Sequence, residues 1–329
     1  MPLPPEETQA PAAAPTADLP PGVHFIERDW LCANHILFAR PDEPATLIDS
    51  GYLSSTPETL DRLAQALGPR PLERLINTHI HSDHIGGNAT LARRYPGLEI
   101  LVPEGEVPAL ERWDSPAQML SYADQQADPF AWHRTLEPGE CLPLGGTLWE
   151  VVASPGHDMG SIVLYCPRWR CLISADALWE NGFGFVLPQA IDPAPLAEQR
   201  ATLQRLNELS IELVLPGHGP AFRDVRGALA RAQARLEAFA ADDGRLARSV
   251  ARGMFVFALL WRKRLPLAEL PAYVRRVGIH RDLNAQCFRY SDEAYAHWLI
   301  EQACTTGRAT IEGDTLVSLT PSVAPPRAA

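Results

Sequence analysis

The chain has 329 residues, is 46% hydrophobic and carries 29 basic against 40 acidic side chains, for a formal charge of −11. That length holds one large domain or two smaller ones. No run approaches the eighteen or so apolar residues of a membrane span, and the acidic balance disfavours a nucleic-acid partner.

Residues 1–22 hold seven prolines and no basic residue. They lack the parts of a signal peptide and read as a disordered, Pro/Ala-rich tail, which implies a cytoplasmic protein. Residues 321–329 read the same way. Strand-like runs follow at 23–28, 34–40 and 45–49. Thr56, Pro57 and Glu58 then open a helix through Leu67, with a cap residue, Pro in the first turn and Leu60, Leu63 and Leu67 at helical spacing. A buried strand at 72–77, a short helix near Asn88–Arg94 and a strand at 99–102 come next. The alternation continues to Val214. Residues 104–135 interrupt it with Trp113, Met119, Leu120, Tyr122, Phe130 and Trp132. This insertion reads either as a helical segment with its own small core, or as a lid or dimer contact shaping an apolar pocket. In the second case a further copy of the chain is the expected partner. Aromatic residues within 179–185 offer a second pocket wall, shared with the core.

From Val225 the pattern turns helical, over Val225–Ala241, 246–262, 265–277 and 291–305. Glu312-Gly-Asp-Thr between alternating apolar residues then signals a hairpin within 307–319. Helices followed by a hairpin resemble a winged-helix unit. Residues 230–329 hold 14 basic and 10 acidic side chains, so the acidic excess lies in the first 229 residues. Six cysteines, Cys32, Cys141, Cys166, Cys171, Cys287 and Cys304, form no Cys-x-x-Cys pair and are expected to be buried reduced thiols.

The most constraining stretch is Asn77-Thr-His-Ile-His-Ser-Asp-His-Ile-Gly-Gly-Asn88. His79, His81, Asp83 and His84 place three imidazoles and a carboxylate within six residues. Imidazole suits zinc, iron and manganese, and carboxylate adds hard oxygen character. His79 and His81 can grip one ion, while Asp83 and His84 aim at a second point. Two-metal hydrolases hold their ions about 3.5–4 Å apart, so the spacing suits a dinuclear site. Further polar residues stand where apolar runs give way to loops: His157 in Ser-Pro-Gly-His-Asp, Asp176 after 171–175, and His218 in Leu-Pro-Gly-His-Gly. Scaffold-positioned loops are where sites are built. Asp49 reads equally as a partner for a ligand imidazole and as a turn residue beside Gly51. His24, His35, His133, His280 and His297 lie outside ligand contexts and read as packing or surface residues.

The order His-x-His-x-Asp-His, Gly-His, Asp, Gly-His, with Leu47-Ile-Asp-Ser-Gly51 before it, resembles the metallo-β-lactamase superfamily over about residues 23–225. One departure is Ala175, where members commonly carry Gly before the bridging Asp. The resemblance implies an α+β fold, an αββα sandwich, here followed by a mostly helical, winged-helix-like domain. The expected units are therefore 1–22 (tail), 23–225 (catalytic), 226–320 (C-terminal) and 321–329 (tail). It also implies that His79, His81 and His157 bind a first metal, Asp83, His84 and His218 a second, and that Asp176 bridges both. The nucleophile is then a metal-bridged hydroxide, with Asp83 in an additional catalytic, orienting role. Two divalent ions are the implied cofactors. Zinc suits the ligands best, and iron or manganese fits the same shell.

The favoured function is a metal-dependent hydrolase of a small ester, thioester, lactone or amide. The alternative is a metal-dependent endoribonuclease or phosphodiesterase, suggested by the C-terminal pattern. A dense basic stripe is absent, and Lys263 is the only lysine, which weighs against it. A non-catalytic regulatory relative is the third reading, disfavoured by the complete ligand set.

Overall fold

The computed structural model describes residues 19–319. The expected tails lie outside the described residues, except for 19–22.

Short apolar runs of alternating orientation build two sheets. The first contains β1 (Val23–Ile26), β2 (His35–Phe38), β3 (Thr46–Ile48), β4 (Arg74–Ile76), β5 (Glu99–Pro103) and β6 (Arg134–Leu136), lying side by side in chain order. Pairing is antiparallel through β3 and parallel from β3 to β6. The second contains β7 (Cys141–Leu144), β8 (Thr147–Ala153), β9 (Ile162–Cys166), β10 (Cys171–Ala175) and β11 (Leu213–Pro216), in the order β11-β10-β9-β8-β7. Only β10 and β11 run parallel there.

The period of two along a strand decides what each residue packs against. Ile48, Ile76 and Leu101 point between the sheets, where they meet Trp149, Val151, Leu164 and Ile173. Their neighbours Leu47, Leu75, Ile100 and Val102 point outward, under Leu63 and Leu67 of α1 (Thr56–Leu67) and Leu91, which follows α2 (Ser82–Ile85) on α3 (Asn88–Arg94). Each fully buried aliphatic side chain contributes about 1.5–3 kcal/mol relative to an exposed one. The outer face of the second sheet carries Val163, Tyr165, Leu172 and Val214. It is covered by helices that follow α4 (Val107–Glu111) and α5 (Leu120–Ala123), namely α6 (Ala194–Glu208), α7 (Val225–Ala241) and α8 (Asp243–Arg262). Two sheets are thus held between helical layers, the expected αββα arrangement.

The same apolar cluster continues without a break into α9 (Leu270–Arg276), α10 (Gly278–Leu283), α11 (Asp292–Thr305) and the C-terminal sheet, through Leu270, Tyr273, Leu283, Leu299 and Leu316. The hairpin expected within 307–319 is β13 (Ala309–Glu312) and β14 (Thr315–Ser318). Two corrections arise here. Residues 265–277 are not one helix: Arg264–Pro266 is a strand, β12, pairing with β14. A 3-10 turn at Leu267–Glu269 follows, and the α-helix begins only at Leu270, with Pro271 in its first turn, where a missing N–H costs nothing. The insertion also lacks a core of its own. Trp113, Phe130 and Trp132 pack on the outer face of the first sheet, whereas Met119 and Ala123 join the cluster of the second sheet and C-terminal helices. Among the cysteines all six are free, but only Cys32, Cys166 and Cys171 are buried as expected: Cys287 and Cys304 are half-buried, and Cys141 is exposed, since it starts the edge strand β7. None of the described helices is long and apolar enough to cross a membrane.

Candidate metal centre

All seven expected ligands sit where strands end, on one rim of the sandwich. β4 runs into His79 and His81. The single-turn helix α2 begins just after His81 and carries Asp83 and His84. β8 leads to His157, β10 to Asp176, and β11 to His218. The turn after the cluster depends on its glycines. A side chain on Gly86 would stand 2.3 Å from the Leu53 backbone nitrogen, and one on Gly87 would stand 2.5 Å from the Ser50 carbonyl. Only bare backbone lets α2 close onto the loop after β3.

The donor atoms converge. His81 Nδ1 and His157 Nε2 stand 2.8 Å apart, and His157 Nε2 lies 3.4 Å from Asp176 Oδ2. On the other side His218 Nε2 lies 3.0 Å from Asp83 Oδ2 and 3.8 Å from Asp176 Oδ1. His84 Nε2 lies 3.5 Å from Asp176 Oδ1. Donors held about 2.0–2.1 Å from one tetrahedral ion are themselves about 3.3 Å apart, so this spacing fits divalent cations. His79, His81 and His157 form one group, and Asp83, His84 and His218 another. Asp176 faces both. The Nε2 atoms of His79 and His84 are buried without a hydrogen-bond partner among the described residues, an arrangement that costs free energy unless an ion fills it.

Ring orientation is set from behind. Asp49 accepts from the Thr78 N–H at 2.9 Å and the Thr78 hydroxyl at 2.8 Å, and from His84 Nδ1 at 2.7 Å. The Thr78 hydroxyl, having donated to Asp49, accepts from His79 Nδ1 at 3.1 Å. Both rings are thereby fixed in the tautomer that leaves Nε2 free as a ligand atom. Asp49 has φ 56, so it is at once a turn residue and a ring partner. His157 Nδ1 donates to the Phe185 carbonyl at 2.6 Å. His157 also abuts Gly184, where a side chain would come within 2.5 Å of the ring. Ala175, in place of the common Gly, has φ 44 at an irregularity in β10. It occupies left-handed backbone that an alanine adopts at a cost.

Electrostatics divide the cluster. Burial, helped by neighbouring rings, pushes His79 well below the usual imidazole range and His81 down to about 4. Burial also works against charge on His84 and His218. It is outweighed by Asp49, Asp83 and Asp176 around His84 and by Asp176 and Asp83 beside His218, so both are raised. The carboxyl of Asp176 is disfavoured by burial but held well below its usual range, chiefly by His218 and His84.

These groups form one end of a cavity of about 260 Å³ whose other walls are largely apolar. Met119 and Ala123 come from the insertion, Phe183 and Phe185 from the loop after β10, and Gly253, Met254 and Phe257 from α8. Trp30 stacks on His218 at 5.6 Å, and Trp179 meets that ring edge-on at 5.3 Å. The aromatic segment 179–185 thus serves both core and cavity, as expected. Sequence reasoning missed Trp30, Arg235 and the α8 residues, because nothing in their local pattern separates a cavity wall from ordinary packing. The remaining histidines do lie away from the cluster. His35 packs against Arg28 and Thr59, and His280 is buried among Phe255, Tyr273 and Tyr295.

Comparison with known proteins agrees. The pattern of the metallo-beta-lactamase superfamily matches residues 29–218. The chain is 30% identical over 226 residues to the acyl-coenzyme A thioesterase MBLAC2 of Gallus gallus, covering 60% of this chain and 77% of that protein. It is 29% identical over 138 residues to the hydroxyacylglutathione hydrolase of Serratia proteamaculans, 42% of this chain and 44% of that one. A beta-lactamase domain protein from Burkholderia ambifaria shares the fold at a TM-score of 0.57 and 24% identity, over 95% of this chain and 97% of that one. The chain belongs to the metallo-beta-lactamase superfamily and is a metal-dependent hydrolase.

Proposed function

We propose that the protein hydrolyses thioesters of small acyl groups, using a dinuclear centre. His79, His81 and His157 would hold one divalent ion and Asp83, His84 and His218 the other, with the Asp176 carboxylate facing both groups of donors. The nitrogen-rich donor set favours zinc. When bound, such ions supply acidified water at neutral pH and polarise the scissile carbonyl. The observation that carries the reading is the convergence of these donors on one end of a small apolar cavity. That shape accommodates an acyl chain rather than a nucleic-acid backbone, and two relatives bear thioester-hydrolase names.

The chain's own side chains do the positioning. Trp30 and Trp179 pack against the His218 ring and hold its orientation. Asp83, 3.0 Å from His218 Nε2, orients the attacking water. The water oxygen bonds to the acyl carbon, the carbon–sulfur bond breaks, and the thiol leaves with the proton. Residues 23–225 then act as the catalytic unit. In the expected C-terminal unit, Arg235 of α7 and Gly253, Met254 and Phe257 of α8 complete the cavity wall, and the helices with a three-stranded sheet support a winged-helix-like description.

The test is metal-reconstituted protein assayed against thioester, lactone, β-lactam and phosphodiester substrates. Chelator-sensitive thioester hydrolysis well above the others is expected. Phosphodiester cleavage without thioester cleavage would overturn the reading.

A further inference from the structure

The cavity holds one cationic side chain besides its histidines, Arg235 of α7. Its guanidinium lies over the rings of Phe183 and Phe239, 5.3 Å from each centroid, and packs against Gly182, where a Cβ would stand 2.7 Å from Nη1. Among the described residues it makes no ion pair or hydrogen bond. Its neighbours on α7 behave differently: Arg231 pairs with Asp224, and Arg200 of α6 pairs with Glu237. Burial alone lowers the pKa of Arg235, with no carboxylate opposing it. A guanidinium partly withdrawn from water gains from an anion beside it, and its planar fork suits carboxylate or phosphate oxygens.

Phe183, which carries the guanidinium, is followed by Gly184, which lies against the His157 ring. Arg235 and the ligand cluster therefore face one cavity, joined by a single short loop. The other charged groups lining it, Asp83 and Asp176, belong to the donor set.

We infer that Arg235 is a specificity residue that binds an anionic oxygen group of the substrate, so that the preferred thioesters carry a carboxylate or phosphate. The inference rests on the thioester reading for its substrate scaffold. It goes beyond that reading in assigning a charge to a substrate otherwise described only as a thioester of a small acyl group. The two phosphate and carboxylate sources are separable. A carboxylate would sit at the end of the acyl group, and a phosphate on the thiol carrier.

The experiment compares wild type with Arg235→Met, which keeps an apolar stem between the two rings, and with Arg235→Lys, which keeps the charge. Four substrates are used: butyryl and succinyl thioesters of N-acetylcysteamine, which is uncharged, and the same acyl groups on coenzyme A. An acyl carboxylate partner predicts a loss of about 10- to 100-fold in kcat/KM for both succinyl substrates in Arg235→Met. Both butyryl substrates then change little, and Arg235→Lys retains part of the succinyl preference. A phosphate partner predicts loss for both coenzyme A substrates regardless of acyl group. Equal change across all four marks a purely structural role and overturns the inference. Binding of succinate and of inorganic phosphate, read by titration calorimetry, gives a readout independent of turnover. At least one of these anions should bind Arg235→Met about tenfold or more weakly than wild type. Unchanged affinity for both overturns the inference even if thioesters are hydrolysed. Lack of thioester hydrolysis with Arg235-dependent anion binding overturns only the thioester reading.

Discussion

Asp49→Asn is the substitution that most directly tests how the centre is built. Asp49 has left-handed backbone, which Asn adopts with little penalty, so the turn should survive. What changes is the acceptor. One carboxylate oxygen receives the Thr78 N–H, and the other receives both the Thr78 hydroxyl and His84 Nδ1. An amide leaves its NH₂ facing a donor in either orientation. Hydrogen bonds to a charged group are worth about 1.5–3 kcal/mol and neutral ones about 1 kcal/mol. Losing the charge and one acceptor therefore removes about 2 kcal/mol of ring positioning, or about 30-fold in metal affinity. That lies within the range of about 10- to 100-fold typical of groups behind a ligand. Competitive titration against a chromophoric chelator resolves the two ions. Both affinities should fall, because Asp49 reaches His84 directly and His79 through Thr78. Wild-type affinities, or loss at one ion with the other untouched, would refute the shared anchor, provided circular dichroism shows an intact fold.

Four further outcomes follow from the same structure. Gly253 lines the cavity, and a Cβ there meets nothing within 4 Å. Gly253→Ala should raise stability by up to about 1 kcal/mol, while Gly253→Leu should cost about fourfold in kcat/KM for each acyl methylene it displaces, measured over a chain-length series. Burial holds His280 down to about 3, against about 6.5 when unfolded. Its contribution is intact above pH 6.5 and is lost at about 1.4 kcal/mol per pH unit as pH falls toward 3. His280→Leu should flatten that part of the stability profile in urea melts taken at several pH values. Ala175→Gly should relieve left-handed strain and raise stability by up to about 1 kcal/mol, visible as a higher Tm with unchanged metal binding.

The parts of this structure that were readable from sequence are those encoded locally. His79 to His84 announce themselves by spacing, Asn88–Arg94 is helical as expected, and Thr56 with Pro57 marks the start of α1. Asp49 was ambiguous because its two roles, turn and ring partner, are not exclusive, and only the fold shows both. β12 escaped notice because three residues, Arg264–Pro266, carry no periodicity and become a strand only by pairing with β14 some fifty residues later. The insertion read equally as a self-contained segment and as a lid or dimer contact, because its aromatics cluster in sequence. In space Trp113 and Met119 face different cores. Arg235 sits in an Ala/Arg-rich helix whose other arginines are ordinary surface partners, so its composition gave no hint that it faces the cavity.

That α8 forms the far wall of the cavity has a consequence for how this enzyme can diversify. The reactive groups come from the ends of strands in the first two-thirds of the chain, and the wall that gauges the guest comes from a helix beyond them. Reactivity is thus written in one stretch of the gene, and part of the selectivity, beyond that set by Met119, Phe183 and Phe185, in a second. Drift in the second can retune which molecules enter without disturbing the machinery that cleaves them.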